Sequence, residues 1–310
     1  TSRPPSAILR PQDLDLRAMI WRAMSFSHFW IALGASATAW LTWNGTDNGT
    51  IDTPQHLAVA IWVGLSTGCG YTVQRAIKHQ RTPAAMPPER RKYWDRHVLS
   101  MLAVWGGLWL LFTWSQWGLM AWGLNPLLAV GAPLVLASLA YALAPGLPGG
   151  LRSVIWLKTP LIAAVWATAC TLHPNMTWDP VLWGQRFLLI AGLSLPIDIR
   201  DMGVDKDHIP TWPMVLGPRS CLRWAQGLLV LAGLLPWAHA TSWWAIGEDL
   251  AAATPLVMCL QAWGAAWWLR PSRALPLLTS IKEWEKEKAA GWVLDGVLVW
   301  PLLWCFLMMR

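Results

Sequence analysis

The sequence predicts an all-α membrane protein, with about nine transmembrane helices in one bundle under a cytoplasmic cap. Three observations carry that reading. The 310 residues are 55% hydrophobic and only 13% charged, against about 25% charged in a typical soluble domain. Mean hydropathy is +0.36. Twenty-seven tryptophans exceed what a soluble core uses, and Trp gathers at membrane interfaces. Residues 1–22 are polar and lack the apolar core and small-residue cleavage site of a signal peptide. They read as a cytoplasmic N-terminal segment before a single transmembrane domain, 23–310.

Nine apolar stretches are long enough to cross about 30 Å of hydrocarbon. They fall near 23–43, 56–77, 99–115, 122–144, 154–172, 183–199, 217–239, 249–269 and 291–309. The third is the shortest, and Pro126 and Pro133 blur the start of the fourth. The charges test this division. With alternating sides, 22 of the 24 basic residues fall on one side, and only Arg186 and Arg310 on the other. The positive-inside rule makes that side the cytoplasm. The N-terminus is therefore expected inside and the C-terminus outside, in a bacterial cytoplasmic (inner) membrane. The net charge of +7 follows from this topology, and no nucleic-acid-binding motif accompanies it.

Cys69, Cys170, Cys221, Cys259 and Cys305 are scattered through or near apolar segments with no CxxC pair. They read as buried small hydrophobes and not as a disulfide framework or zinc site. Three cytoplasmic connections are substantial. Residues 78–98 contain Pro87-Pro88 followed by Glu89, a helix start. Residues 200–216 carry acids and then a turn-rich stretch with Pro210 and Pro213. Residues 270–290 include Ser280-Ile281-Lys282-Glu283, a capping box, followed by a solvated charge run. A cap over the membrane would combine the second and sixth connections.

The chemistry concentrates in LPIDIRDMGVDKD, residues 195–207. Asp198, Asp201 and Asp205 stand at i, i+3 and i+7, which on a helix is one face. Three carboxylates at a membrane surface repel one another unless a cation joins them. Mg²⁺ prefers such oxygens and bridges to phosphate. Arg200 and Lys206 are the competing explanation, since they could neutralise the acids directly.

PIDIRDMGVDKD resembles the second aspartate-rich motif of the UbiA superfamily of intramembrane prenyltransferases (4-hydroxybenzoate polyprenyltransferase-like proteins). TWPMVLG resembles the segment that follows it, and YALAPGLPGGLRSVIWLK the connection between the fourth and fifth helices. The topology matches over the whole chain, the sequence only over these stretches, and a divergent bacterial branch is the nearest likeness. The resemblance implies transfer of an isoprenoid from a prenyl diphosphate to a lipophilic, aromatic acceptor in the bilayer. It further implies Asp198, Asp201 and Asp205 as catalytic Mg²⁺ ligands. A metal would neutralise the leaving diphosphate, and a dry cavity would shield a carbocation from water.

The chain departs from the family at the first motif, NDxxDxxxD, expected after the second helix. Residues 70–80 read GYTVQRAIKHQ there. Gly70, Tyr71, Gln74 and Lys78 take the places of the amide and acids. Arg75, Lys78, His79 and Arg81 could instead grip a diphosphate directly, or simply follow the positive-inside rule. Lys158, Arg200 and Lys206 complete the candidate diphosphate ligands, with interfacial snorkelling the alternative for Lys158. NGTDNGTID, residues 44–52, imitates the missing motif but falls in the first connection, on the outer side.

Asp295 lies inside the ninth apolar segment and should face the bundle interior, paired with a base or in contact with substrate. His28 reads more readily as a satisfied buried histidine than as a substrate-facing one. Most tryptophans are expected as interface anchors and lipid-facing bulk, although Trp156 or Trp212 could line a prenyl tunnel. Two functional classes remain. One is a Mg²⁺-dependent prenyltransferase. The other is a non-catalytic relative that binds an isoprenoid, quinone or pigment, or serves as a subunit of a membrane complex. A transporter is disfavoured, because no inverted repeat stands out.

Overall fold

A computed structural model of the protein describes residues 24, 26–44, 54–81, 86, 88–115, 124–143, 150–171, 179–205, 210–239, 250–280 and 294–300. Among the described residues the regular structure is entirely helical. The helices are α1 (Phe29–Asn44), α2 (Pro54–Arg81), α3 (Pro88–Ser115), α4 (Leu124–Leu143), α5 (Lys158–Thr171), α6 (Pro180–Asp205), α7 (Trp212–Leu216), α8 (Pro218–His239), α9 (Leu250–Trp268) and α10 (Pro271–Leu278). A 3₁₀ turn at Gly150–Ser153 precedes α5, and residues 294–300 are helical.

Three stretches are long and apolar enough to cross a membrane: Leu57–Arg81, Arg90–Ser115 and Pro180–Gly203. Phe29–Thr42 and Pro133–Leu143 are shorter apolar helices. Helix occupies most of the described part of every apolar stretch expected from the sequence. Two helices run further than expected. The start signal at Pro88 opens α3 itself, so the end of the second connection and the third apolar segment form one 28-residue helix. α6 likewise continues past its apolar part to Asp205.

α6 is the central element. Its start is written in sequence: Asp179 Oδ1 accepts the backbone N–H groups of Val181 and Leu182 at 2.8 and 3.0 Å, and Pro180 follows at the position where a missing N–H costs nothing. Its buried residues Leu189, Ile190, Leu193, Leu195 and Ile199 join the main core with α1, α2, α5, α8 and α9. Small residues permit the close approaches. A Cβ at Gly192 would sit 2.7 Å from Leu229 Cγ and 3.1 Å from the Ala225 carbonyl of α8, and one at Gly64 would strike the Ser36 hydroxyl of α1. Such contacts suit helices that associate without a hydrophobic driving force between them.

Several tryptophans depart from the expected role of lipid anchor by tying helices together. Trp62 donates to Thr113 Oγ1 (3.2 Å), Trp109 to Ser66 Oγ (2.9 Å), Trp105 to the Ser27 carbonyl (2.7 Å) and Trp183 to Thr168 Oγ1 (3.0 Å). A buried indole N–H needs a partner, supplied here by hydroxyls on neighbouring helices and, for Trp105, by a backbone carbonyl before α1. Cys170, Cys221 and Cys259 are buried free thiols and Cys69 is half-buried, as the sequence reading expected. Cys305, the Ser280–Glu283 capping box beyond Ser280 and the NGTDNGTID stretch beyond Asn44 lie outside the described residues.

Candidate functional site around the end of helix α6

α6 carries Asp198, Asp201 and Asp205 on one continuous helix, as their spacing predicts. Pro196, inside the helix just before them, removes one backbone N–H and frees the carbonyl four residues earlier. The side chain of Asp205, and Lys206 as a whole, lie outside the described residues.

The two remaining carboxylates are each engaged by a cation. Asp198 Oδ1 lies 2.6 Å from Lys158 Nζ, with side chains 6% and 12% exposed. Lys158 is the first residue of α5, so this bridge ties two of the stretches singled out in sequence. Asp201 takes a bidentate bond from its neighbour Arg200, Nε to Oδ1 at 2.6 Å and Nη2 to Oδ2 at 2.9 Å. Lys158 and Arg90 also lie within electrostatic reach of Asp201.

The third stretch closes the same corner. Pro213 sits in the first turn of α7, and Gly217 ends the helix at φ 81°, a backbone state that glycine enters without steric cost. The Trp212 indole N–H donates to the Ile155 carbonyl at 2.9 Å, and its ring meets Trp156 edge-on at 5.1 Å. TWPMVLG thus rests on SVIWLK. The hydroxyls of Thr211 and Thr159, the residues next to Trp212 and Lys158, are buried without hydrogen-bond partners.

A second group faces this corner from α2 and α3. His28, at φ 62°, occupies the left-handed region that histidine enters more readily than most residues. Its carbonyl accepts the Ala32 N–H at 3.0 Å, opening α1. Its Nδ1 lies 3.2 Å from Thr72 Oγ1, and its ring packs near Tyr71 and Trp94. That satisfies the buried histidine. Arg75 and Arg90 both act on it electrostatically, and the Arg90 guanidinium lies 5.2 Å above the Phe26 ring. Tyr71 receives the Trp166 indole N–H at 3.3 Å and is within electrostatic reach of Arg75, Tyr141 and Asp295.

The candidates divide accordingly. Arg75 and Lys158 belong to this polar region. Lys78 is half-buried on the Tyr71–Arg75 side of α2, one turn beyond Gln74. Gln74 itself donates to the Ser138 carbonyl of α4 at 3.4 Å. His79 turns instead to Asp95 of α3 at 3.1 Å. The acids fit a metal only partly: both described carboxylates face cations, and among the described residues no three His, Cys, Asp or Glu side chains gather around a common point. The arrangement offers cationic donors more directly than metal ligands.

Sequence reasoning missed Arg90 and Trp166. Arg90 read as one of the basic residues of the second connection, 78–98, whereas the packing of α3 buries it. Trp166 was one tryptophan among many. No protein-family model and no curated protein matches the chain.

Proposed function

We propose that the protein is an intramembrane prenyltransferase of UbiA-like architecture, a nine-span bundle with the N-terminus in the cytoplasm and the C-terminus outside. It takes an isoprenoid from a prenyl diphosphate and delivers it to a lipophilic, aromatic acceptor. The observation that carries this reading is the meeting of the three stretches resembling that superfamily: Lys158 against Asp198, and Trp212 against Ile155 and Trp156. Residues distant in sequence converge where a diphosphate would lie.

In this reading Arg75, Arg90, Lys158 and Arg200 bind the diphosphate. Lys78, and Lys206 after it, add charge at the rim. Guanidinium forks match phosphate oxygens, and fixed positive charge stabilises the negative charge that develops as the carbon–oxygen bond breaks. Asp198 and Asp201 hold Lys158 and Arg200 in place. Asp198, Asp201 and Asp205 are the residues that would hold a Mg²⁺ ion, whose chemistry would be further neutralisation of the leaving group. Tyr71, Trp94 and Trp166, in ring contact around His28 and one another, would flank the isoprenoid in this reading. The test is release of inorganic pyrophosphate from geranylgeranyl diphosphate in native membranes containing the protein, together with appearance of a prenylated lipid. Release that is unchanged in the Lys158→Gln/Arg75→Gln variant counts against this reading.

A second reading is supported by a specific observation. Both described acids are already neutralised, and residues 70–80 contain no acid. A relative that binds an isoprenoid, quinone or pigment without chemistry would have these features. Tight binding of the intact diphosphate with no turnover would select it.

A further inference from the structure

α8 and α9 run antiparallel, and two hydrogen bonds fix their register. Gln226 Nε2 donates to the Ala266 carbonyl at 2.9 Å, and the Trp263 indole N–H to the Val230 carbonyl at 3.3 Å. The start of α8 is therefore level with the end of α9. Arg223 and Arg270 each lie about one helical turn beyond the Gln226–Ala266 bond, toward the same end. Arg219 follows a turn further along α8, and Arg273 stands in the first turn of α10, which packs against α8. These arginines are all exposed.

The charges sit on a fixed frame. Only Leu269 and Arg270 separate α9 from α10, and Ala274 and Leu278 pack α10 into the main core. The Arg273 guanidinium lies 3.9 Å above the Trp267 ring, a cation–π contact that holds the charge beside an exposed indole. Residues 210–239 and 250–280 contain no Asp or Glu, and the ion pairs among the described residues involve other side chains. A guanidinium stays charged, so this end of α8, α9 and α10 presents concentrated positive charge.

Below the charges the outward faces change in the order of a bilayer leaflet. On α8, exposed Arg219 and Arg223 give way to Trp224, then to Val230 and Leu234. On α9, Arg270 gives way to Trp267 and then to Leu260, all exposed. Gly227 and Gly264 lie between, and a Cβ at either would meet no atom within 4 Å, so the surface there is open. Charge, then indole, then aliphatic side chain matches headgroup, interface and acyl chain. We infer that this exposed face is an interaction surface for anionic phospholipid. The arginines meet the phosphate, and the acyl chains lie along Val230, Leu234 and Leu260. The inference needs the chain to lie in a bilayer and does not rest on the prenyltransferase reading.

The test uses the full chain in phosphatidylcholine nanodiscs doped with phosphatidylglycerol, with retained lipid counted by native mass spectrometry. Wild type should retain phosphatidylglycerol with about a tenfold preference, the effect of one to two arginines near a membrane surface. Arg219→Gln/Arg223→Gln and Arg270→Gln/Arg273→Gln should each lose most of that preference. Lys92→Gln/Arg96→Gln removes as much charge from exposed positions on α3 and should leave it intact. Equal losses in all three double variants would mean a general attraction to basic protein and overturn the surface. Equal retention of the two lipids by wild type overturns it without any variant. Complete competition by inorganic phosphate would assign the arginines to the free ion and overturn the lipid. Binding of polyglutamate without any lipid preference would assign them to an acidic protein and overturn it likewise. No readout involves the prenyl diphosphate, so failure here and failure of the prenyltransferase reading are distinguishable.

Discussion

Lys158 Nζ and Asp198 Oδ1 lie 2.6 Å apart in a nearly closed environment, joining the first turn of α5 to the last turns of α6. Breaking the pair leaves a buried charge, which costs about 3–5 kcal/mol, whereas replacing both partners by apolar residues often costs far less. Lys158→Met and Asp198→Leu alone should therefore each lower the thermal midpoint more than the Lys158→Met/Asp198→Leu double variant. Additive losses in a thermal-shift series would show that the two side chains act separately.

The diphosphate should depend on cations from different helices. Arg75→Gln and Arg90→Gln are each expected to weaken geranylgeranyl diphosphate binding by about tenfold, the loss of one charge-assisted hydrogen bond. The Arg81→Gln control, on an exposed residue at the end of α2, should change little. Titration calorimetry in detergent distinguishes these outcomes. Equal effects at all three positions would mean a diffuse charge effect and no built site.

The role of the acids can be separated from that of the bases. Asp198→Ala/Asp201→Ala should abolish any Mg²⁺-dependent component of diphosphate binding. Binding with an unaltered Mg²⁺ dependence in that double variant would remove these carboxylates from the metal site.

Close packing on α6 makes an independent prediction. Gly192→Val places atoms into Leu229 and the Ala225 carbonyl and should destabilise by about 1–3 kcal/mol, the usual cost of overpacking. Gly203→Ala meets no atom within 4 Å and should be neutral or slightly stabilising, since glycine is a poor helix residue. Comparable thermal midpoints for the two would contradict the α6–α8 contact.

Much of this was legible in the sequence for a physical reason. The helix period alone puts Asp198 and Asp201 near one face, Pro87-Pro88 marks the start of α3, and the uncharged runs mark the helices. What periodicity does not carry is which cation meets which acid. Lys158 could as readily have snorkelled to the interface, and its choice of Asp198 depends on how α5 packs on α6. Arg90 follows the Pro87-Pro88 start signal directly, but periodicity does not say which face of that helix turns toward His28 and Asp201. Arg186 had a readable signal, a lone base inside an apolar segment, but its burial among Thr42 and Gln261 is a property of three helices together. The tryptophans likewise reveal their interhelical hydrogen bonds only once α1, α2 and α3 are side by side.

The most direct measurement is equilibrium binding of geranylgeranyl diphosphate to the wild-type protein in nanodiscs, with Mg²⁺ and with EDTA, using shorter prenyl diphosphates in parallel. The account predicts saturable binding that inorganic pyrophosphate displaces, that Mg²⁺ strengthens, and that survives in part in EDTA because Arg75, Arg90 and Lys158 hold the diphosphate themselves. Absence of binding at every chain length in both conditions would contradict it.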